Sequence, residues 1–209
     1  MSWQFFAGLS VLLFSFNGLF HRVLMKDVKS DPYAQTIVFY GSVGILTFVI
    51  SLFYGGFHYQ ISIDQLPYFI LLSIFATAAP VLAFKAIKLI EASENVILLS
   101  SQRLWIVMGA FLFLHEEFSI KKLIGTIIIL FGIAFAQWKK DKFTVNYGIL
   151  LALLAALSYA VAELSSYYLL RNFDAISFNI YLSFLQVIIL LIIKPKTIQK
   201  LSFYLKPKY

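Results

Sequence analysis

Apolar segments of 18 or more residues recur along this chain, and no other feature limits its fold so tightly. At about 1.5 Å rise per residue, each is long enough to cross a hydrocarbon core of roughly 30 Å. Backbone amides in lipid must be satisfied within the segment or within a closed barrel. No ten-residue alternation of the barrel kind is present, so the segments are predicted to be helices. Seven spans can be drawn: 3 to 24, 32 to 54, 66 to 89, 94 to 115, 120 to 138, 147 to 169 and 174 to 194. The composition agrees with an all-α integral membrane protein, a multi-helix bundle: 61% of residues are hydrophobic, 13% are charged, and mean hydropathy is +0.86. The first span has no basic region before it and no small-residue cleavage site after it, so it reads as a retained helix. With no cysteine there is neither a disulfide framework nor a thiolate ligand or nucleophile.

The net charge of +7 sits on lysines and arginines at helix ends and in the tail. That distribution suits the headgroups of a lipid bilayer and argues against nucleic acid as a partner. Thirteen of these residues fall in connectors 1–2, 3–4, 5–6 and the tail, against three, Lys121, Lys122 and Arg171, in the others. Even with the tail left out the bias is eight to three, which predicts the odd connectors inside and the N-terminus outside. An ungapped shift of 143 residues sets Ser15-Phe16 on Ser158-Tyr159, Asp31-Pro32 on Asp174-Ala175, and the second span on the seventh. One copy, residues 1–143, then holds five helices. Five is odd, so the second copy, residues 144–209, enters the membrane from the opposite side, the inverted repeat of many secondary transporters. A complete second copy would run to about residue 286 by the same shift, whereas Tyr209 is the image of Leu66. The expectation is therefore a five-helix inverted repeat with its second copy truncated, seven helices of ten.

The stretch FLFLHEEFSIKKLIGTIIILFGIAF, closing the fourth span and forming the fifth, resembles the EamA-type repeat of the drug/metabolite transporter superfamily. Glu116 takes the place of the family glutamate, and Gly125 and Gly132 that of its paired glycines. The third span's AAPVLAFKAIKLIEAS is similar to a second family segment, with Ala86 to Lys88 in register. The resemblance implies a ten-helix transporter, normally with both termini inside, whose central cavity is lined by helices 1, 3, 4, 6, 8 and 9. It also implies a bacterial inner membrane as the location. One departure bears on the cavity: the family's proline thirteen positions before the glutamate is Arg103 here.

Depth counting places several polar residues in one layer below the odd face, at roughly 10 Å for Asn17, 13 Å for Arg103, 17 Å for Ser158 and Tyr159, and 18 Å for Thr77. With Gln102 they are the candidate substrate-binding set, since transporter sites lie near the midplane. Pro80 frees the carbonyl of Ala76 beside Thr77 and offers an irregular spot there. An arginine at this depth needs a partner. Glu163 is a candidate, although straight helices leave about 11 Å between the two by the same count. Arg103 is then either structural, bonded to carbonyls, Ser100 or an acid elsewhere, or an anion-binding fork. Glu163 and His21 are candidates for proton coupling. Their bland readings are a helix-end glutamate bonded to a neighbour such as Tyr167 and a membrane-boundary histidine. Glu116 could tie helix ends through Lys121 or Lys122. Polar stripes at Ser10, Asn17 and His21 and at Asn179, Ser183 and Gln186 read as packing glue. The Gly125, Gly132, Ala136 seam is open to close packing, to a homodimer or to a partner chain. Phe84 and Trp105 are candidates for an apolar pocket wall.

Enzyme classes fit poorly. All five aspartates sit at helix edges, where an intramembrane aspartyl protease would need two in mid-span. No G-x-S motif opens a helix, and His21, His58 and His115 lie on separate segments, which argues against a metal. Lys194 follows the last span, badly placed for a retinal Schiff base. No cofactor is implied. The expectation is a secondary transporter of a small organic solute, with alternating access about the midplane layer. The rival expectation is a truncated subunit that transports nothing until a partner chain completes the bundle.

Overall fold

The structure is a computed structural model and describes residues 3–25, 27, 29–53, 63–113, 120–138, 146–171 and 173–205. Its helices are α1 (Trp3–Met25), α2 (Pro32–Phe53), α3 (Leu66–Ile87), α4 (Ala92–Ser100), α5 (Gln102–Phe113), α6 (Ile120–Trp138), α7 (Tyr147–Leu170), α8 (Ala175–Ile193) and α9 (Ile198–Leu205). Among the described residues there is no strand, and the protein is an all-α membrane bundle. Among the described residues five segments, Pro32–Phe53, Ile63–Ile87, Glu94–Phe113, Tyr147–Leu170 and Ala175–Ile193, are long and apolar enough to cross a membrane. The predicted fourth span is present as one apolar segment, Glu94–Phe113, within which α4 and α5 meet at a turn at Ser101.

Local chemistry sets the helix starts. Asp31 precedes α2 and accepts from the N–H groups of Tyr33 at 2.9 Å and Ala34 at 3.3 Å, while Pro32 occupies the first helical position. Asn146 caps α7 through Ile149 N–H at 3.0 Å, and Asp174 caps α8 through Ser177 N–H at 3.0 Å. Pro195 follows α8, which ends before it, and a single 3-10 turn then leads into α9.

The core is the antiparallel pair α3 and α7. One end joins Phe69, Leu72 and Ala76 to Ala162 and Leu169; the other joins Ala86 to Ile149 and Ala152. Ala76, Ala79, Ala83 and Ala86 face an α7 that offers Ala152, Ala155, Ala156, Ala160 and Ala162, all buried. Small side chains let the backbones approach, which is how helices gain packing in a solvent as apolar as themselves. The second pair is α2 and α8, where Gly44 lies against Ser183 and Phe184. Outward faces are apolar: Leu46, Leu52, Phe131, Phe135 and Ile192 are each more than 60% exposed. In water such a surface would be an anomaly; in a bilayer it is solvated.

Several polar groups inside the bundle donate to backbone carbonyls. Thr77 Oγ1 donates to Ser73 O at 2.6 Å, and Ser158 Oγ to Leu154 O at 2.8 Å, each one turn back on its own helix. The Ala76 carbonyl, which Pro80 deprives of its helical donor, accepts from Gln186 Nε2 of α8 at 2.9 Å. The irregular spot expected at Pro80 is therefore filled by a side chain 110 residues away.

Candidate functional site

The helix break defines the site. Ser101 is buried, and its N–H and hydroxyl both donate to Leu98 O, at 3.1 and 2.6 Å. Its own carbonyl accepts from Leu104 N–H at 3.0 Å and Trp105 N–H at 3.4 Å, starting α5. The turn leaves Gln102 and Arg103 in the first turn of α5, where the partial positive charge of a helix end disfavours a cation and favours an anion. The anion is supplied across the bundle. Glu163 of α7 accepts from Gln102 Nε2 at 2.8 Å and lies 4.0 Å from Arg103 Nη1. The separation counted from the sequence is therefore absent: α5 packs on α7 and brings the two side chains together. Tyr167 takes no part in this contact; its hydroxyl accepts from Arg171 at 2.8 Å.

The Arg103 and Glu163 side chains are 66% and 50% exposed. An ion pair within hydrocarbon is costly and one that faces water is not, so the open side of this pair calls for an aqueous or polar neighbour. A groove of about 350 Å³ lies elsewhere, walled by Phe48, Phe69, Ile180, Tyr181, Phe184, Leu185 and Ile188, and includes none of the predicted site residues.

The remaining candidates fall into two groups. Thr77 and Ser158 are buried among the residues of the α3–α7 seam with their hydroxyls committed to backbone. Tyr159 is half-buried on α7. Asn17 is half-buried on α1. His21, one turn on, is held between Phe39 and Phe84, with both ring centroids 4.8 Å away, and its Nδ1 lies 3.0 Å from Gln35 Nε2. Phe84 thus packs on His21 and is not among the residues that wall the groove. The Trp105 indole nitrogen is buried without a hydrogen-bond partner among the described residues. In the α8 stripe Ser183 and Gln186 are buried and Asn179 is exposed, so only part of it acts as glue. A Cβ added at Gly125 or Gly132 would meet nothing within 4 Å, so the described neighbours do not use that seam. Glu116 lies outside the described residues.

Sequence reasoning missed Gln35 and Ser101. Gln35 is four residues past the Asp31 cap, buried in the first turns of α2, and an amide in an apolar run was its one signal. Ser101 was passed over because serine is tolerated inside a membrane helix.

The sequence profile of the EamA-like transporter family matches residues 1–137. No curated protein matches the chain.

Proposed function

We propose, for a chain that belongs to the EamA-like transporter family, the role of a secondary transporter of small solutes that carry a carboxylate or phosphate. Membership makes it a multi-pass membrane protein of transporter type. The reading places it in a bacterial inner membrane and gives it transport with no bond-making chemistry. The observation that carries it is the Gln102, Arg103, Glu163 contact at a broken helix. Broken membrane helices whose positive ends meet anionic groups are a recurrent way of building a solute site. Glu163 occupies the place an anionic solute would take. When Glu163 is protonated, the Gln102 amide and the Arg103 fork are released to receive the solute's anion. Proton and solute then load together and are carried together, which couples them.

Thr77, Ser158 and Tyr159 serve in this reading as the close-packed floor on which the halves rock, and Asn17 with His21 as the facing wall. Two observations support the inverted repeat behind the rocking. Asp31 and Asp174, aligned by the 143-residue shift, both cap helices. The contacts of Gly41 with Val187 and of Gly44 with Phe184 are images of one another under the same shift.

The test is uptake into proteoliposomes under an imposed pH gradient, with labelled carboxylates and phosphomonoesters set against neutral analogues. The reading expects anionic solutes to accumulate and Arg103→Gln to lower uptake by at least about tenfold. Glu163→Gln should keep solute exchange but lose gradient-driven accumulation. Uptake by Arg103→Gln equal to that of the unaltered protein contradicts it. A second reading, in which a partner chain flanks α1, is favoured by the exposed apolar face of that helix. It expects a second polypeptide to co-purify.

A further inference from the structure

A second polar centre lies at the opposite end of α2 from its exposed apolar tip, apart from the helix break. Four lysines from three helix ends gather there. Lys85 Nζ donates to the Tyr33 hydroxyl at 3.0 Å, and Lys88 Nζ, just past α3, donates to the Ser30 carbonyl. Lys194, at the end of α8, lies 4.1 Å from the centre of the Tyr33 ring and 3.9 Å from Asp31. Lys200 of α9 bonds the same Asp31 carboxylate. Asp31 is buried, and its backbone N–H donates to the Tyr204 hydroxyl at 3.2 Å. Asp27 is close enough to act on Tyr204 electrostatically. Among the described contacts, four ammonium groups gather about the one carboxylate of Asp31, an excess of positive charge.

The setting decides what answers that excess. Lys85, Lys88 and Lys194 lie at the ends of helices long and apolar enough to span a membrane, where a bilayer places its headgroups. α9 lies across them: Leu201 packs with Ile37, Val81 and Leu190, while Gln199, Lys200 and Ser202 are exposed. This is the form of a helix at the surface of a bilayer. Each ammonium has three donors, and the bonds above use one at Lys85 and one at Lys88. Basic pockets between membrane helices at this level bind lipid headgroups.

We propose that Lys85, Lys88, Lys194 and Lys200 form a seat for the phosphate of an anionic phospholipid in the leaflet that carries α9. Asp31 competes for two of the lysines, Lys194 and Lys200, and Lys85 and Lys194 both lie against the Tyr33 ring. The seat is independent of the solute site proposed above.

The test is native mass spectrometry of the full chain in neutral detergent, titrated with phosphatidylglycerol and, separately, with phosphatidylcholine. Phosphatidylglycerol should bind at about tenfold lower concentration. Lys85→Gln with Lys88→Gln leaves the Asp31 pairs intact and should erase most of that preference, whereas Lys121→Gln, at the other end of the bundle, should not change it. Asp31→Asn removes a competing carboxylate and should strengthen phosphatidylglycerol binding, a gain that a purely structural role for the lysines would not produce. Equal binding of the two lipids overturns the proposal. So does an equal loss in the Lys121 variant, or displacement of phosphatidylglycerol by millimolar inorganic phosphate, which would assign the lysines to a soluble anion.

Discussion

Under the 143-residue shift α1 is the counterpart of α7, yet the two helices have opposite surroundings. α7 packs on α3, α4 and α5 and keeps Ala152, Ala155 and Ala156 fully buried. On α1, Phe5, Leu12, Leu13, Phe16, Phe20 and Val23 are all more than half exposed. Both helices are apolar, so hydrophobicity does not separate them. Side-chain size does: α7 presents a face of alanines that admits another backbone, and α1 presents leucine and phenylalanine, which face outward as readily to lipid as to protein. α1 is held near its end, by the buried Met25 and by His21 against Gln35, Phe39 and Phe84.

The contrast is broken most directly by filling the alanine seam. Ala155→Leu should destabilise the bundle by about 1–3 kcal/mol, because a closely packed interface cannot make room without moving backbone. Gly8→Leu on α1, where an added Cβ meets nothing within 4 Å, should leave thermal unfolding in detergent unchanged. Similar losses in both would remove the distinction. A smaller step has the same sense. A Cβ at Gly148 would come within 2.7 Å of Ile90 and 2.9 Å of Leu89, so Gly148→Ala should cost about 1–2 kcal/mol, while Gly18→Ala should cost nothing measurable. Gln186→Leu strips the Ala76 carbonyl of its donor and should cost about 1 kcal/mol, with Asn17→Leu as the silent counterpart on α1.

The smallest effect concerns pH. Burial would raise the Asp31 carboxyl, but the bond from Lys200, the N–H groups of Ala34 and Tyr33, and the Lys194 charge hold it below the ordinary carboxylate range. A carboxyl depressed in the folded state stabilises it fully above the unfolded value near 3.8 and loses that contribution as pH falls through the folded value. Unfolding of the protein between pH 6 and pH 3 should show a small acid destabilisation that Asp31→Asn lacks. An unchanged acid limb in that variant would place the titration elsewhere.

The span lengths were legible because hydropathy and caps agree: Asp31, Asn146, Asp174 and Pro195 mark helix ends within two residues of where they lie. The break at Ser101 was not, since no glycine or proline marks it and its bonds form only once the turn exists. Pro80 announced a free carbonyl, but its partner Gln186 is set by how α8 crosses α3, which no local pattern encodes. The site shows the same division. Arg103 and Glu163 were each conspicuous as charges in apolar helices, while their meeting depends on how α5 packs on α7, which no local pattern encodes. α9 was read only as a basic tail, although Ile198, Leu201 and Tyr204 recur at helical spacing.

The central claim is that the Gln102, Arg103, Glu163 face opens to water inside the membrane. The chain has no cysteine, so single cysteines can be placed at will. The deciding measurement is the labelling of Arg103→Cys, Glu163→Cys and the outward-facing Ile128→Cys by a membrane-impermeant maleimide in native membranes. The account predicts that positions 103 and 163 label readily and position 128 does not. Positions 103 and 163 as unreactive as 128 would put the pair against lipid and contradict it.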